Sequence, residues 1–262
     1  MELMGILNVT PDSFSDGGRW ASVETAIEHG RQLIRDGATI LDIGGASTRP
    51  GATILSGEEE WERISDVVAT LSKEVTVSVD TYHASTAAAC IAAGAHIIND
   101  VTGGQGDPDM FATVAGLDCD YILQHGRGNP QTMNALAKYD GDVALVVRDE
   151  LATSRDRAIA AGIAPERIIL DPGLGFAKVG DHDWQVLANL DPILNLGHRV
   201  LIGQSRKRFL AQTVPDGAPV LDRDVPTAVL SGLMWDKDVW AVRIHNVAAS
   251  AAAVAVHRKL AR

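Results

Sequence analysis

Apolar residues along this chain gather into short runs, and each run breaks off on a polar residue. The first covers positions 3–7 and turns polar at Asn8. Others follow at 39–43, 75–79, 96–98, 120–123, 167–170, 199–203 and 240–244. The runs are nearly continuous rather than alternating, as expected of parallel strands covered on both faces. Between them, apolar positions recur three and four apart. This spacing predicts helices at 23–35, 58–71, 84–93, near 109–115, at 143–161, near 184–194, through 225–234 and at 247–260. The longest stretches without such spacing follow the first, second and fifth runs and cover 212–224.

Eight strand–helix units in succession predict an α/β chain folded as a TIM (β/α)8 barrel, one domain over residues 1–262. The competing doubly wound sheet ordinarily carries a glycine fingerprint after its first strand, where this chain has Asn8. A content of 46% hydrophobic residues in 262 supplies a core of that size. The net charge of −11 argues against nucleic acid as a partner, so an anionic ligand requires cations gathered locally. Cys90 and Cys119 alone make no disulfide framework. No apolar run approaches the roughly 18 residues of a membrane span. The first strand begins at Leu3, so no signal peptide is expected. The expectation is a soluble cytoplasmic protein without a membrane partner, in which Asn8-Val9-Thr10 is no glycosylation site.

In a barrel of this kind the C-terminal strand ends share one face. Those ends read Asn8, Asp42, Asp80, Asn99, His125, Asp171, Ser205-Arg206-Lys207, and Arg243 with His245. One such residue is ordinarily a turn former or a helix cap; the whole set together reads as a site. Asp80, Asn99 and Asp171 suit the N–H-rich edge of a planar nitrogen heterocycle. Arg49, Arg206, Lys207, Arg243 and His245 suit a polyanion such as a diphosphate. Asn8 suits Mg²⁺, which takes few protein oxygens besides substrate phosphates. No Cys/His cluster has zinc spacing, and no nucleophile elbow is present. Trp20, Trp61 and Trp184 lie at helical or pre-helical positions, where core packing or a dimer contact explains them.

Longer motifs sharpen this picture. They are Gly5-Ile6-Leu7-Asn8-Val9-Thr10-Pro11-Asp12-Ser13-Phe14-Ser15-Asp16-Gly17-Gly18, Asp42-Ile43-Gly44-Gly45 with Ser47-Thr48-Arg49-Pro50-Gly51, and Ser78-Val79-Asp80-Thr81. Further along come Ile98-Asn99-Asp100, Gly128-Asn129-Pro130 with Thr132-Met133, Asp171-Pro172-Gly173-Leu174-Gly175-Phe176 with Lys178, Ser205-Arg206-Lys207 and Arg243-Ile244-His245. In this order, through all eight units, the chain resembles the dihydropteroate synthases of the pterin-binding family. The resemblance implies condensation of 6-hydroxymethyl-7,8-dihydropterin diphosphate with p-aminobenzoate, releasing diphosphate, with Mg²⁺ as cofactor. It assigns pterin binding to Asp80, Asn99, Asp171, Lys207 and Arg206, and the diphosphate to Asn8, Thr48, Arg49, Arg243 and His245. Asn8 would also meet the metal. Phe14, Thr48, Pro50, Phe176 and Ser205 would border the aminobenzoate pocket, where sulfonamides compete. Asp80, Asp16, Lys207, Arg243 and His245 would carry the chemistry, and a homodimer through barrel helices is implied as well.

The chain departs from the family pattern at a few places. Ala46 stands where a Glu is usual, Gln124 and Gly126 flank His125 where Met residues are common, Asp183 replaces an Asn, and Asn246 replaces an Asp. Two other readings share the pterin floor: a corrinoid-dependent methyltransferase and a catalytically silent paralogue. The Thr48-Arg49 loop and the Arg243/His245 pair argue against the first. Intact Asn8, Arg49, Lys207 and His245 argue against the second.

Overall fold

The computed structural model describes residues 1–9, 18–46, 55–129 and 131–261, with only the backbone described over 18–22. Strands β1 (Glu2–Asn8), β2 (Ile40–Gly44), β3 (Thr76–Asp80), β4 (Ile97–Asp100), β5 (Asp120–Gln124), β6 (Ile168–Asp171), β7 (Arg199–Ile202) and β8 (Ala241–Ile244) close in that order into a barrel. Every neighbouring pair is parallel, β8 with β1 included, so all C-terminal ends meet at one rim. Around it run α1 (Gly18–Arg35), α2 (Gly57–Leu71), α3 (Ala84–Ala92), α4 (Met110–Ala115), α5 (Val143–Ala160), α6 (His182–Ala188), α7 (Asp191–Leu194), α8 (Asp224–Asp236) and α9 (Val247–Leu260). The TIM barrel read from the apolar runs is the fold that forms. Among the described residues, no helix is long and apolar enough to cross a membrane.

Two apolar layers follow from the alternation of side chains along each strand. Met4, Ile40, Ile97, Ile122, Ile169, Leu201 and Ala241 point inward and fill the lower barrel as one cluster, with Trp240 partly covering it. Their strand neighbours, among them Leu3, Leu41, Ile98, Tyr121, Leu123, Leu170, Val200 and Val242, point outward into the larger core beneath the helices. This double burial is why the runs are continuous in the sequence.

Local signals hold the helix starts. Ser56 and Glu59 form a reciprocal capping box at α2: Glu59 N donates to Ser56 Oγ (3.2 Å) and Ser56 N to Glu59 Oε2 (2.9 Å). Asp142 caps α5 through Ala144 N (2.8 Å), and Asn246 caps α9 through Ala249 N (3.1 Å). Asn246 therefore does the capping work of the Asp it replaces.

Two expectations are corrected. The helix anticipated near 184–194 is two pieces, α6 and α7, parted at Asn189 and Leu190. Pro192 has no N–H to bond back to Ala188 O, and its ring crowds that carbonyl, so the ladder stops there and restarts with Pro192 in the first turn of α7. The segment 212–224 is also not free of helix: short 3₁₀ turns occupy Arg208–Thr213 and Val220–Arg223.

Candidate active site

Two residues above the apolar plug, about 7 Å along each strand, the inward positions become polar. Ile40 gives way to Asp42, Ile97 to Asn99, Ile169 to Asp171 and Ala241 to Arg243. Adjacent strands bring these into register, with Asp42 beside Ser78 and Asp80 beside Asn99. A ring of polar groups thus stands on an apolar floor.

On one side of the ring, Asp42 Oδ2 accepts from Arg243 Nε (2.5 Å) and from Asn99 Nδ2 (3.2 Å). Arg243 Nη2 donates to Asp80 Oδ2 (2.8 Å). Burial pushes the Asp80 carboxyl up to about 7, against the pull of Arg243 and reinforced by Asp42. Burial also works against the Arg243 charge, but Asp42 and Asp80 outweigh it and the guanidinium is held more firmly protonated than usual. Asn8 ends β1 in an exposed position. A Cβ added to Gly44 would stand 3.7 Å from Asn8 Oδ1 and 3.9 Å from Asp80 Oδ2, so the bare glycine keeps space between those oxygens.

Across the ring, Asp171 Oδ1 accepts from Gly173 N (2.7 Å). The Lys207 ammonium donates to Leu174 O and lies 4.9 Å from the Phe176 ring centroid. Burial raises the Asp171 carboxyl, opposed by Lys207, and depresses the Lys207 amine to about 8, opposed by Asp171. Ser205 Oγ lies 2.9 Å from His245 Nδ1 and accepts from His245 N (3.0 Å). Arg206 has a partner of its own. Its guanidinium makes two parallel bonds to Asp224 at the start of α8 (2.6 and 2.9 Å), and Asn246 Nδ2 donates to the same carboxylate (3.1 Å). Its left-handed backbone (φ 57°) is pinned through Thr227 Oγ1 and Arg223 Nη1.

His125 departs from the reading that put it at the rim with the others. Ile122 is the inward residue of β5, so alternation turns His125 to the outer side. There Nε2 meets Glu150 of α5 (2.8 Å) and Nδ1 meets Lys178 Nζ (3.1 Å). Lys178, 1% exposed, also donates to Gly173 O (2.9 Å) and Phe176 O (3.2 Å), and so braces the loop that receives Lys207. Burial lowers Lys178 to about 7. Burial, with the Lys178 charge, lowers His125 to about 4. Burial would raise the Glu150 carboxyl, but hydrogen bonds from His125 and Arg127 prevail and hold it at about 2.

A stability prediction follows from His125. Its folded pKa of about 4 lies below the ordinary value of about 6.5, so its contribution is present above pH 6.5 and is lost as pH falls through 4. The loss is of order 3 kcal/mol. Urea titrations at pH 7 and pH 4.5 should show a larger drop in the parent than in His125→Gln; equal drops would refute the assignment.

Phe14, Asp16, Thr48, Arg49 and Pro50 lie outside the described residues, as does the Trp20 side chain. Trp61 and Trp184 pack against the core. Sequence reasoning gave no role to Lys178, which stood in the Asp171 motif, or to Asp224, whose only signal was its place before a helical pattern. Asp183 accepts from Gly175 N (2.7 Å), so the Asp in place of Asn fixes the same loop.

A parallel (β/α)8 barrel with acids, an amide and cations converging on its C-terminal rim is the architecture of a barrel enzyme. The pterin-binding enzyme model matches residues 4–245, and the chain belongs to that family. It is 42% identical over 265 residues to the dihydropteroate synthase of Mycobacterium leprae, covering 98% of this chain and 92% of that one. The structure of Clostridium difficile dihydropteroate synthase in the presence of pteroic acid superimposes with a TM-score of 0.91 at 33% identity, covering 100% of this chain and 97% of that one. Xanthomonas albilineans dihydropteroate synthase with 4-aminobenzoic acid gives 0.90 at 37%, covering 99% and 93%.

Proposed function

We propose that this barrel works as a dihydropteroate synthase, joining 6-hydroxymethyl-7,8-dihydropterin diphosphate to p-aminobenzoate. The observation that carries the reading is the hydrogen-bonded unit of Asp80, Asn99, Asp42 and Arg243 facing Asp171 and Lys207. Carboxylates and an amide deep in the barrel read the N–H edge of the pterin. Cationic groups beside and above them hold the diphosphate. Arg243 spends two of its five N–H donors on Asp42 and Asp80, which leaves three for phosphate oxygens.

In the reaction the bond from the pterin methylene to oxygen breaks, and its electron pair leaves on diphosphate. The amine nitrogen of aminobenzoate then bonds to the methylene and gives up a proton. Asp80, with Asp16, stabilises positive charge developing on the pterin methylene, while Arg243 and His245 stabilise the departing anion. Lys207 and Arg206 bind the pterin side. Phe14, Thr48, Pro50, Phe176 and Ser205 shape the aminobenzoate pocket, open also to sulfonamides. Thr48 and Arg49 help hold the diphosphate.

The donor set fits Mg²⁺ arriving with its substrate. Among the described residues no group of three His, Cys, Asp or Glu forms a metal cage, whereas Mg²⁺ commonly keeps waters and phosphates with one or two protein oxygens. Asn8 would supply such an oxygen, and the ion would neutralise diphosphate charge. The reading includes one domain over 1–262, a homodimer and a cytoplasmic location.

The test is an assay with pterin diphosphate, p-aminobenzoate and Mg²⁺, following dihydropteroate and released diphosphate. Product from the parent and a fall of about two to three decades in His245→Ala are expected. Pterin binding by calorimetry without product would overturn the synthase in favour of a silent pterin binder.

A further inference from the structure

Asp42 is given no contact with either substrate above, yet two of the groups that bind substrate converge on it. It is fully buried on β2, and one oxygen, Oδ2, takes both Asn99 Nδ2 (3.2 Å) and Arg243 Nε (2.5 Å). A carboxylate oxygen that already accepts from Arg243 acts as an acceptor toward Asn99 too. The Asn99 amide must therefore turn its nitrogen toward Asp42, because the flipped amide would set oxygen against oxygen. The Asn99 carbonyl oxygen, buried and without a hydrogen-bond partner among the described residues, is left to the ligand together with the second Nδ2 hydrogen. Side by side these are one acceptor and one donor. Their complement is an amino group next to an unprotonated ring nitrogen, whereas an oxo group next to a ring N–H needs the opposite order.

We propose that Asp42 is a positioning residue that fixes the donor–acceptor order of Asn99, so that the site selects a 2-amino pyrimidine edge over its 2-oxo counterpart. This rests on the reading of the barrel as a pterin site. Arg243 is the second group Asp42 orients, through the same oxygen, and its Nη2 is tied to Asp80 as well. A site built around a particular hydrogen-bond order rejects the mismatched ligand because a buried polar pair is then left opposed.

The probes are 6-hydroxymethylpterin and 6-hydroxymethyllumazine, which carry the amino and oxo edges, measured by calorimetry on the full chain. The parent should prefer the pterin by about a hundredfold or more. In Asp42→Asn, where the neighbour both donates and accepts, Asn99 is free to flip and the preference should shrink at least tenfold. General loosening of the barrel would weaken both probes alike and leave the ratio unchanged. In an Asn99→Ser background, Asp42→Asn should no longer move the ratio.

An unchanged ratio in Asp42→Asn overturns the proposal. So does a parent that binds both probes equally, an outcome that needs no variant to fold. A parent that binds neither probe overturns the pterin reading itself.

Discussion

Arg243→Met is expected to weaken the fold by about 3 kcal/mol near neutral pH and to cut turnover by roughly two to three decades. The stability loss comes from the groups left behind. Asp42 has a fully buried side chain and Asp80 one that is 14% exposed, and the guanidinium is hydrogen-bonded to both. Removing one member of such a set leaves uncompensated buried charge, at about 3–5 kcal/mol for full burial. The partial exposure of Asp80 and Arg243 puts the expectation at the low end.

The pH dependence has a definite sign. The folded-state pKa of Asp80 is already raised to about 7, so its contribution is full below the unfolded value of about 4 and is lost as pH rises through 7. Without Arg243 that pKa climbs further. The gap between parent and variant in urea titrations should therefore narrow from pH 8 toward pH 5. A gap that is constant, or that widens at low pH, would contradict the arrangement of charges described here.

Gly173→Ala should be nearly as damaging, although it adds a single methyl. A Cβ there would stand 1.9 Å from His125 O, and the backbone has φ +65°, a region that L side chains occupy at a cost of about 1–2 kcal/mol. Relieving the clash means moving backbone rather than a flexible side chain, for a further 1–3 kcal/mol or so. The movement also spreads. Gly173 N holds Asp171, Gly173 O holds Lys178, and the next carbonyl, Leu174 O, holds Lys207. The expected result is a Tm lowered by several degrees, accompanied by weaker pterin binding on calorimetry. A variant of parental stability and affinity would show that this loop does not set the site.

The barrel was legible because each strand is buried twice, which writes it into the sequence as an unbroken apolar run closed by a polar residue. Asp80, Asn99, Asp171 and Arg243 could be picked out for the same reason: each lies one inward step above an inward apolar residue or beside one that does. His125 shows the limit of the method. Which of two consecutive polar residues points inward depends on a register of one residue, and strand ends are uncertain by about that much. Asp42 was visible as a strand-end acid, but its double duty was not, since Arg243 lies 201 positions away in the chain. Lys178 likewise gave no sign that it would reach back to His125, because that contact depends on the path of a glycine-rich loop.

The apolar plug of Met4, Ile40, Ile97, Ile122, Ile169, Leu201 and Ala241 has a kinetic consequence. A tube stoppered at its base is entered from its rim, so whatever lodges deepest arrives ahead of whatever binds above it. Asn99 and Asp171 lie at the bottom, each 2% exposed, while Asn8 stands in the open. In the synthase proposed above, a heterocycle held by the deep pair is covered by whatever binds over it, and the order of arrival is set by the architecture before any chemistry begins.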